Sequence, residues 1–265
     1  MSYQYITTET RDRVFILTIN RPEVMNAISP AASHEMAEAL DAFEANDDLW
    51  VAIITGAGDA AFCAGGDINE MAKAKTHEDY QMPPSGYGGM TSRTGCYKPV
   101  IAAVNGIAFG GGFEVALSSD LIIASENAAF GLPEPKIGTA AVASGIHRLT
   151  RQIGLKAAMS ILLTARTVSA EEALALNIVN QVVPAGELMD AAIKLANKIC
   201  RCAPLAIRFT KQAAMEGLEL AGVDAALAAQ AGGKFDLMDV MMKSDDTQEG
   251  LSAFLEKRKP TWKGI

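Results

Sequence analysis

Residues Val100–Glu114 have the sequence VIAAVNGIAFGGGFE, and the rest of the chain is organised around this segment. It opens as an apolar run rich in β-branched residues, which predicts a buried strand. Three consecutive glycines follow, and the apolar run after Glu114 predicts a buried helix. A strand that turns into a helix through glycines leaves backbone N–H groups unpaired at the helix N-terminus. Such groups suit an anion or a developing oxyanion.

Glu114 is a carboxylate inside this otherwise apolar segment. An acidic residue in the first turn of a helix is stabilised by the helix dipole, so a capping role explains it. A catalytic role explains it equally well. The segment alone leaves both interpretations open.

A second segment of the same kind, AFCAGGDI, lies upstream at residues 61–68. It predicts a short strand, a glycine turn and a helix capped by Asp67. Two such turns in one chain indicate a repeated architectural unit. Strands are also predicted at 13–20, 51–56, 121–124 and 179–183, and their alternation with helices favours the α/β class.

The hydrophobic periodicity of the rest of the sequence divides the chain into two regions. From residue 186 onward it is helical nearly to the end, including a segment over 224–241. We therefore expect an α/β core over residues 1–200 and a helical region over 201–265. Residues 72–93 have no regular period and contain two prolines, three glycines, two tyrosines and two methionines. A loop of this length in a compact domain is often a binding loop, and this one is predicted to line a ligand pocket.

Composition restricts the function. The 265-residue chain is 49% hydrophobic and has a formal net charge of −8. The negative charge argues against non-specific binding to nucleic acid, and the apolar runs are too short to cross a membrane. The first residues lack the basic-then-apolar order of a secretory signal. We expect a cytoplasmic protein that binds neither nucleic acid nor a membrane.

Cysteines and histidines predict no metal site. Cys200 and Cys202 are too close for a Cys-x-x-Cys redox pair, and no cluster with zinc-ligand spacing surrounds them. Reduced thiols in a cytosolic protein are expected. The other cysteines and the histidines are scattered along the chain: Cys63, Cys96, His34, His77 and His147.

Several further motifs occur in a specific order. They are NRP at 20–22 with NA at 26–27, FCAGGDI at 62–68, NGIAFGGGFE at 105–114, Asp120, AFGLPE at 129–134 and KRKP at 257–260. With them, the chain resembles the enoyl-CoA hydratase (crotonase) superfamily over nearly its whole length. The resemblance implies a spiral of repeated ββα units with C-terminal helices that form a homotrimer or a hexamer. It implies acyl-CoA substrates and no separate cofactor, because coenzyme A is part of the substrate.

The resemblance also implies the site residues. The backbone N–H groups of Gly66 and Gly111 would form an oxyanion hole, and Glu114 and Glu134 would hold one water. A local ion pair with Lys136 is the alternative explanation of Glu134. Residues implied to bind coenzyme A are Arg21, Val24, Ala64, Gly66, Asp67, Ile68, Phe254 and Lys257, the last two on a neighbouring subunit.

The glutamate pair implies hydration of a 2-enoyl-CoA to a 3-hydroxyacyl-CoA, because isomerases of the superfamily usually keep only one of the two positions. Two features depart from the hydratase pattern: Asn69 stands where lysine is frequent, and residues 138–145 replace a proline- and glycine-rich loop. The alternatives are a carnitinyl-CoA dehydratase-like enzyme, an isomerase, a hydrolase or a decarboxylase of acyl-CoA. A non-catalytic RNA- or protein-binding relative is the other class, and the acidic balance argues against it.

Overall fold

The computed structural model describes residues 3–73, 76 and 80–265. Its strands, in chain order, are β1 (Ile6–Arg11), β2 (Val14–Ile19), β3 (Val51–Gly56), β4 (Ala61–Cys63), β5 (Val100–Val104), β6 (Ile107–Phe109), β7 (Leu121–Ser125), β8 (Ala129–Gly131), β9 (Val168–Ser169) and β10 (Gln181–Val183).

The helices include short 3-10 turns at Pro22–Val24, Tyr87–Gly89, Glu134–Ile137 and Ala185–Glu187. The α-helices are α1 (Pro30–Ala45), α2 (Ile68–Lys73), α3 (Gly111–Ser118), α4 (Gly145–Ile153), α5 (Leu155–Leu162), α6 (Ala170–Ala175), α7 (Leu188–Ile199), α8 (Pro204–Gly217), α9 (Val223–Ala231), α10 (Leu237–Lys243) and α11 (Asp245–Leu255). Within the described residues, no helix combines the length and the hydropathy that a bilayer crossing needs.

The strands form two sheets. The larger has the order β1-β2-β3-β5-β7-β10 and the smaller the order β4-β6-β8-β9. From β2 to β10 neighbouring strands of the larger sheet are parallel, and β1 pairs antiparallel with β2. In the smaller sheet β4, β6 and β8 are parallel, with Ala61 opposite Ile107 and Phe109 opposite Gly131.

The chain repeats one unit three times: β3-β4-α2, β5-β6-α3 and β7-β8-α4. Each unit contributes one strand to the larger sheet, the next strand to the smaller sheet, and then a helix. The predicted spiral of ββα units is therefore confirmed. Because β4, β6 and β8 are parallel neighbours, the segments that follow them meet at one edge of the smaller sheet.

Both faces of the larger sheet are covered. One face packs with α1 and the smaller sheet in a cluster that includes Leu17, Ile54 and Phe113. On the other face, Ile53 and Ile101 cluster with residues of α7. Burial on both faces explains why β3 and β5 appear in the sequence as continuous apolar runs.

The C-terminal helices pack mainly on one another: α8 contacts α9 and α10, and α10 contacts α11. The predicted helix over 224–241 is interrupted, because Gly232 and Gly233 follow α9 and Gly233 has φ +76°. That backbone conformation ends a helix readily when the residue is glycine. The division of the chain at residue 200 stays a prediction.

Candidate active site

The small sheet brings together the four residues expected to carry chemistry. Gly66 follows β4, Gly111 follows β6 and begins α3, and Glu134 follows β8. Glu114 lies in the first turn of α3. Residues separated by up to about seventy positions in the chain thus meet at the carboxyl edge of three parallel strands, where α/β proteins commonly bind ligands.

The two glycine turns are adjacent. A Cβ atom added to Gly65 would lie 3.6 Å from the backbone nitrogen of Gly111. Gly110 has φ +52°, a conformation that a residue with a side chain rarely adopts. Within the described part of the chain, the N–H groups of Gly66 and Gly111 donate to no backbone carbonyl outside regular elements and to no side chain. These two donors are available to an oxyanion.

Glu114 is buried and hydrogen-bonded in this cleft. Its side chain is 3% exposed, and its Oε1 accepts the backbone N–H of Gly145 at 2.7 Å. Burial raises the pKa of Glu114 to about 7, the negative charge of Glu134 contributes to the rise, and the Gly145 N–H opposes it. A carboxyl group in this state is partly protonated at neutral pH, so it can act as an acid or a base.

Glu134 lies close to the glycine turn at Gly110. A Cβ atom added to Gly110 would be 3.0 Å from Glu134 Oε1. Glu134 Oε2 is buried and has no hydrogen-bond partner among the described residues, and burial raises the pKa of this carboxyl. Among the described residues, Lys136 forms no ion pair with Glu134. A local ion pair is therefore not the role of Glu134.

Arg21 does not present a free cation to a phosphate. Its Nη2 donates to Asp67 Oδ2 at 2.8 Å and its Nη1 donates to the carbonyl of Ala27 at 2.6 Å. The pair is largely buried, with 14% and 7% of the two side chains exposed. Arg21 therefore joins the turn before α1 to the turn after β4.

Asp67 also caps α2, as predicted. Its Oδ1 accepts the N–H of Asn69 at 3.2 Å and of Glu70 at 3.3 Å. Burial alone would raise the pKa of Asp67, but the hydrogen bonds from Arg21 and these N–H groups hold it below its ordinary value. The carboxylate is used within the protein, and so is the backbone, whose N–H donates to the carbonyl of Ile28 at 3.2 Å and whose carbonyl accepts the N–H of Met71 at 2.9 Å.

The other residues expected to bind coenzyme A lie in separate parts of the chain, and only some of them are close together. Ala64 lies beside the Pro22–Val24 turn, since its N–H donates to the carbonyl of Met25 at 3.0 Å. Ile68 begins α2 and is 66% exposed. Phe254, which is 83% exposed, and Lys257 lie at the end of α11, which packs against α10. Their role on a neighbouring subunit stays a prediction.

Two tyrosines of the 72–93 loop, which the sequence predicted to line a ligand pocket, lie beside the glycine turns. The Tyr87 ring lies against Gly111, and the Tyr80 hydroxyl lies near Gly66. Tyr87 and Met90 are buried in the main core cluster. The loop therefore packs into the molecule. Residues 74, 75 and 77–79, including His77, lie outside the described residues.

Comparisons with known proteins agree with this architecture. The sequence profile described as "Enoyl-CoA hydratase/isomerase" matches residues 9–265. The chain belongs to this family.

Relatives of known name cover nearly all of the chain. It is 41% identical to the carnitinyl-CoA dehydratase of Proteus mirabilis, over 98% of this chain and 99% of that protein. It is 38% identical to the short-chain-enoyl-CoA hydratase of Clostridium acetobutylicum, over 98% and 97%. The predicted superfamily is confirmed. The predicted enzyme class, a hydro-lyase of the enoyl-CoA hydratase type, is confirmed at the level of the family.

Solved structures have the same fold. The enoyl-CoA hydratase of Bacillus anthracis superimposes with a TM-score of 0.92 at 34% identity, covering 99% of this chain and 100% of that one. The enoyl-CoA hydratase of Mycobacterium tuberculosis H37Rv gives 0.90 at 39% identity, covering 98% and 99%. The crotonase fold of this family member is thereby confirmed.

Proposed function

We propose that this member of the enoyl-CoA hydratase/isomerase family adds water reversibly to a 2-enoyl-CoA thioester to give a 3-hydroxyacyl-CoA. The observation that carries the proposal is the pair of glutamates beside the glycine turns, Glu114 buried and Glu134 partly buried. Glu114 has a pKa of about 7, and Glu134 has one buried oxygen without a partner among the described residues. Isomerases of the superfamily usually keep only one of the two glutamates.

The pair matches the proton balance of hydration. The ionised carboxylate accepts a proton from the water molecule while the water oxygen bonds to Cβ of the enoyl group. The protonated carboxyl delivers a proton to Cα. Because each carboxylate disfavours ionisation of the other, one acid and one base coexist near neutral pH. In the reverse direction the same two groups exchange roles and release water.

The glycine turns supply the remaining stabilisation. Attack at Cβ moves electron density onto the thioester oxygen, and the free N–H groups of Gly66 and Gly111 would hold that oxygen. Loss of one such donor typically costs on the order of 3 kcal/mol of transition-state stabilisation. A catalyst assembled in this way needs no metal for the step.

The test is a spectrophotometric assay, since hydration removes the absorbance of the conjugated enoyl thioester. We expect crotonyl-CoA to lose this absorbance with the wild-type protein, and the Glu134→Gln variant to be at least about a hundredfold slower. Release of free coenzyme A, followed with a thiol reagent, reports hydrolysis. Hydrolysis without hydration would refute the proposal.

A second candidate substrate is a polar 3-hydroxyacyl-CoA, dehydrated by the same chemistry. The 41% identity to a carnitinyl-CoA dehydratase favours it, as does the exposed 138–140 segment near Glu134, which departs from the common hydratase loop. A panel of straight, branched, carboxylated and quaternary-ammonium acyl-CoA thioesters, ranked by kcat/KM, distinguishes the two.

The C-terminal helices support a homotrimer or a hexamer. Leu218, Val223 and Leu227 are 85%, 74% and 57% exposed, and α9 and α10 bury none of their residues fully in the single chain. Apolar area of this kind is typical of subunit contacts. Sedimentation velocity should give a mass of three or six chains, and Leu218→Glu with Leu227→Glu should lower it to one chain.

A cytoplasmic location is proposed on the state of the cysteines. Cys63, Cys96, Cys200 and Cys202 are all free thiols. Burial raises the pKa of Cys63 to about 12, so this thiol resists oxidation. Reduced cysteines are usual in cytosolic proteins, and cell fractionation with a tagged chain tests the location.

A further inference from the structure

Two tyrosine hydroxyls approach Gly66, and they differ in how they are used. A Cβ atom added to Gly66 would lie 3.7 Å from the Tyr80 hydroxyl oxygen and 3.9 Å from that of Tyr87. The Tyr87 hydroxyl donates to the backbone carbonyl of Ile28 at 3.1 Å. Ile28 in turn forms a parallel bridge with Gly66. Tyr87 is therefore committed to holding the Gly66 turn in place.

The Tyr80 hydroxyl is not used in this way. Its oxygen is buried and has no hydrogen-bond partner within residues 3–73, 76 and 80–265. A buried hydroxyl without a hydrogen-bond partner destabilises the fold. The hydroxyl lies close to Gly66, whose N–H also has no acceptor among the described residues. The arrangement indicates that a ligand completes the hydrogen bonding of both groups.

The surroundings keep Tyr80 a donor. Burial raises the pKa of its hydroxyl to about 12, and the negative charges of Asp67 and Glu70 contribute to the rise. The phenol therefore keeps its proton at neutral pH. Among the described residues, the groups nearest the added Cβ of Gly66 are the two tyrosine hydroxyls and the Met71 thioether. A thioester oxygen that enters this space meets the phenol as well as the backbone donors.

We propose that the Tyr80 hydroxyl donates a third hydrogen bond to the thioester oxygen of bound acyl-CoA, beside the N–H groups of Gly66 and Gly111. This rests on the proposed function, because it takes the thioester oxygen to lie at the two glycine turns. The added donor strengthens as negative charge develops on the oxygen. Tyr80 would then contribute to turnover more than to ground-state binding.

The test uses a ligand that cannot be hydrated. Butyryl-CoA has the thioester carbonyl but no double bond, so its bound state is stable in the wild-type protein. With ¹³C in the carbonyl, infrared difference spectra report how strongly donors polarise that bond. We expect the bound carbonyl band of the wild type to lie below its position in water, and Tyr80→Phe to return it part of the way.

A matched control is available in Tyr97→Phe. The Tyr97 hydroxyl donates to Glu216 on α8, away from the glycine turns. Its removal should leave the butyryl-CoA band and the activity unchanged. Tyr80→Phe removes no hydrogen bond to any described residue, so its melting temperature should equal or exceed that of the wild type. Its kcat for crotonyl-CoA should fall about tenfold with KM within about twofold.

The outcomes separate the two proposals. If the wild type shows a displaced band and Tyr80→Phe leaves it in place, the Tyr80 proposal is overturned and the hydratase proposal stands. If the wild type shows no displaced band, the oxyanion site itself is wrong, and the Tyr80 proposal falls with it. The proposal is supported if the wild-type band is displaced, Tyr80→Phe returns it part of the way and lowers kcat, and Tyr97→Phe changes neither.

Discussion

Glu114 and Glu134 occupy two regions of opposite character. Glu114 lies on the first turn of α3, and its carboxylate accepts the N–H that begins α4. Glu134 lies on a short 3-10 turn between proline residues, and its Oε2 has no partner in the described chain. The fold orients the first carboxyl group before any substrate arrives. The second keeps an acceptor free for water or substrate.

The difference indicates that the two glutamates have separate roles. A carboxyl group locked by a helix N-terminus has a defined geometry and a pKa set by its surroundings. A carboxyl group with an unpaired buried oxygen is set by what binds to it. Each of the following experiments acts on one side of this contrast.

The largest effect should come from neutralising either carboxyl group. We expect Glu114→Gln and Glu134→Gln each to lower kcat for crotonyl-CoA by at least about a hundredfold, roughly 3 kcal/mol, because each removes a proton-transfer group. The double variant should be little slower than the slower single variant, because both groups act on one water. Calorimetry with butyryl-CoA should show that binding survives.

Glu38→Gln is the control for charge, since Glu38 is exposed on α1. It should retain wild-type turnover. A Glu134→Gln variant that hydrates crotonyl-CoA near the wild-type rate would remove the contrast and leave a mechanism with a single glutamate.

The next effect is on stability. Glu114 has a pKa of about 7 in the fold against 4.5 for the free group. Between these values the folded protein binds more protons than the unfolded chain, so its stability falls as pH rises. The loss over this window is on the order of 3 kcal/mol.

Glu114→Gln should abolish that part of the pH dependence. Urea unfolding at pH 5 and pH 8 should show that the variant gains free energy of unfolding, relative to wild type, as pH rises. Parallel curves for the two proteins would mean that Glu114 is not held with a raised pKa. The locked side of the contrast would then be wrong.

A smaller effect should follow from disturbing only the lock on Glu114. A Cβ atom added to Gly145 would lie 2.9 Å from Glu114 Oε1 and 3.0 Å from the Ala141 Cβ. Gly145→Ala should lower kcat about tenfold by displacing the carboxylate. Gly186→Ala is the matched control, because a Cβ atom there meets nothing within 4 Å. Equal activity of both variants would show that the Gly145 contact does not set the geometry.

The smallest effect should come from the far end of the chain. If the contrast between Glu114 and Glu134 depends only on their local surroundings, removing the basic group of Lys257 should leave kcat unchanged. Lys257→Ala should raise KM for acyl-CoA about threefold, the scale of an exposed ion pair. Lys243→Ala, which removes an exposed lysine of α10, should change neither constant. A lower kcat in Lys257→Ala would contradict the prediction.

Sequence patterns found the strands well because burial on both faces leaves a continuous apolar run. β3 and β5 lie where their runs predicted them. The capping role of Asp67 was equally visible, since a cap is a local hydrogen bond. The helix over 224–241 was misjudged, because its apolar period continues through Gly232 and Gly233 while the backbone does not.

The sequence by itself therefore determined the α/β class, the glycine turns and, through its ordered motifs, the family. These depend on neighbours in the chain. Only the tertiary structure decided that Arg21 pairs with Asp67, that Glu134 Oε2 has no partner among the described residues, and that Tyr80 reaches Gly66. The reason is physical: the pairing of a charge or a hydroxyl depends on which groups three parallel strands bring to one edge, and separation in sequence does not encode that distance.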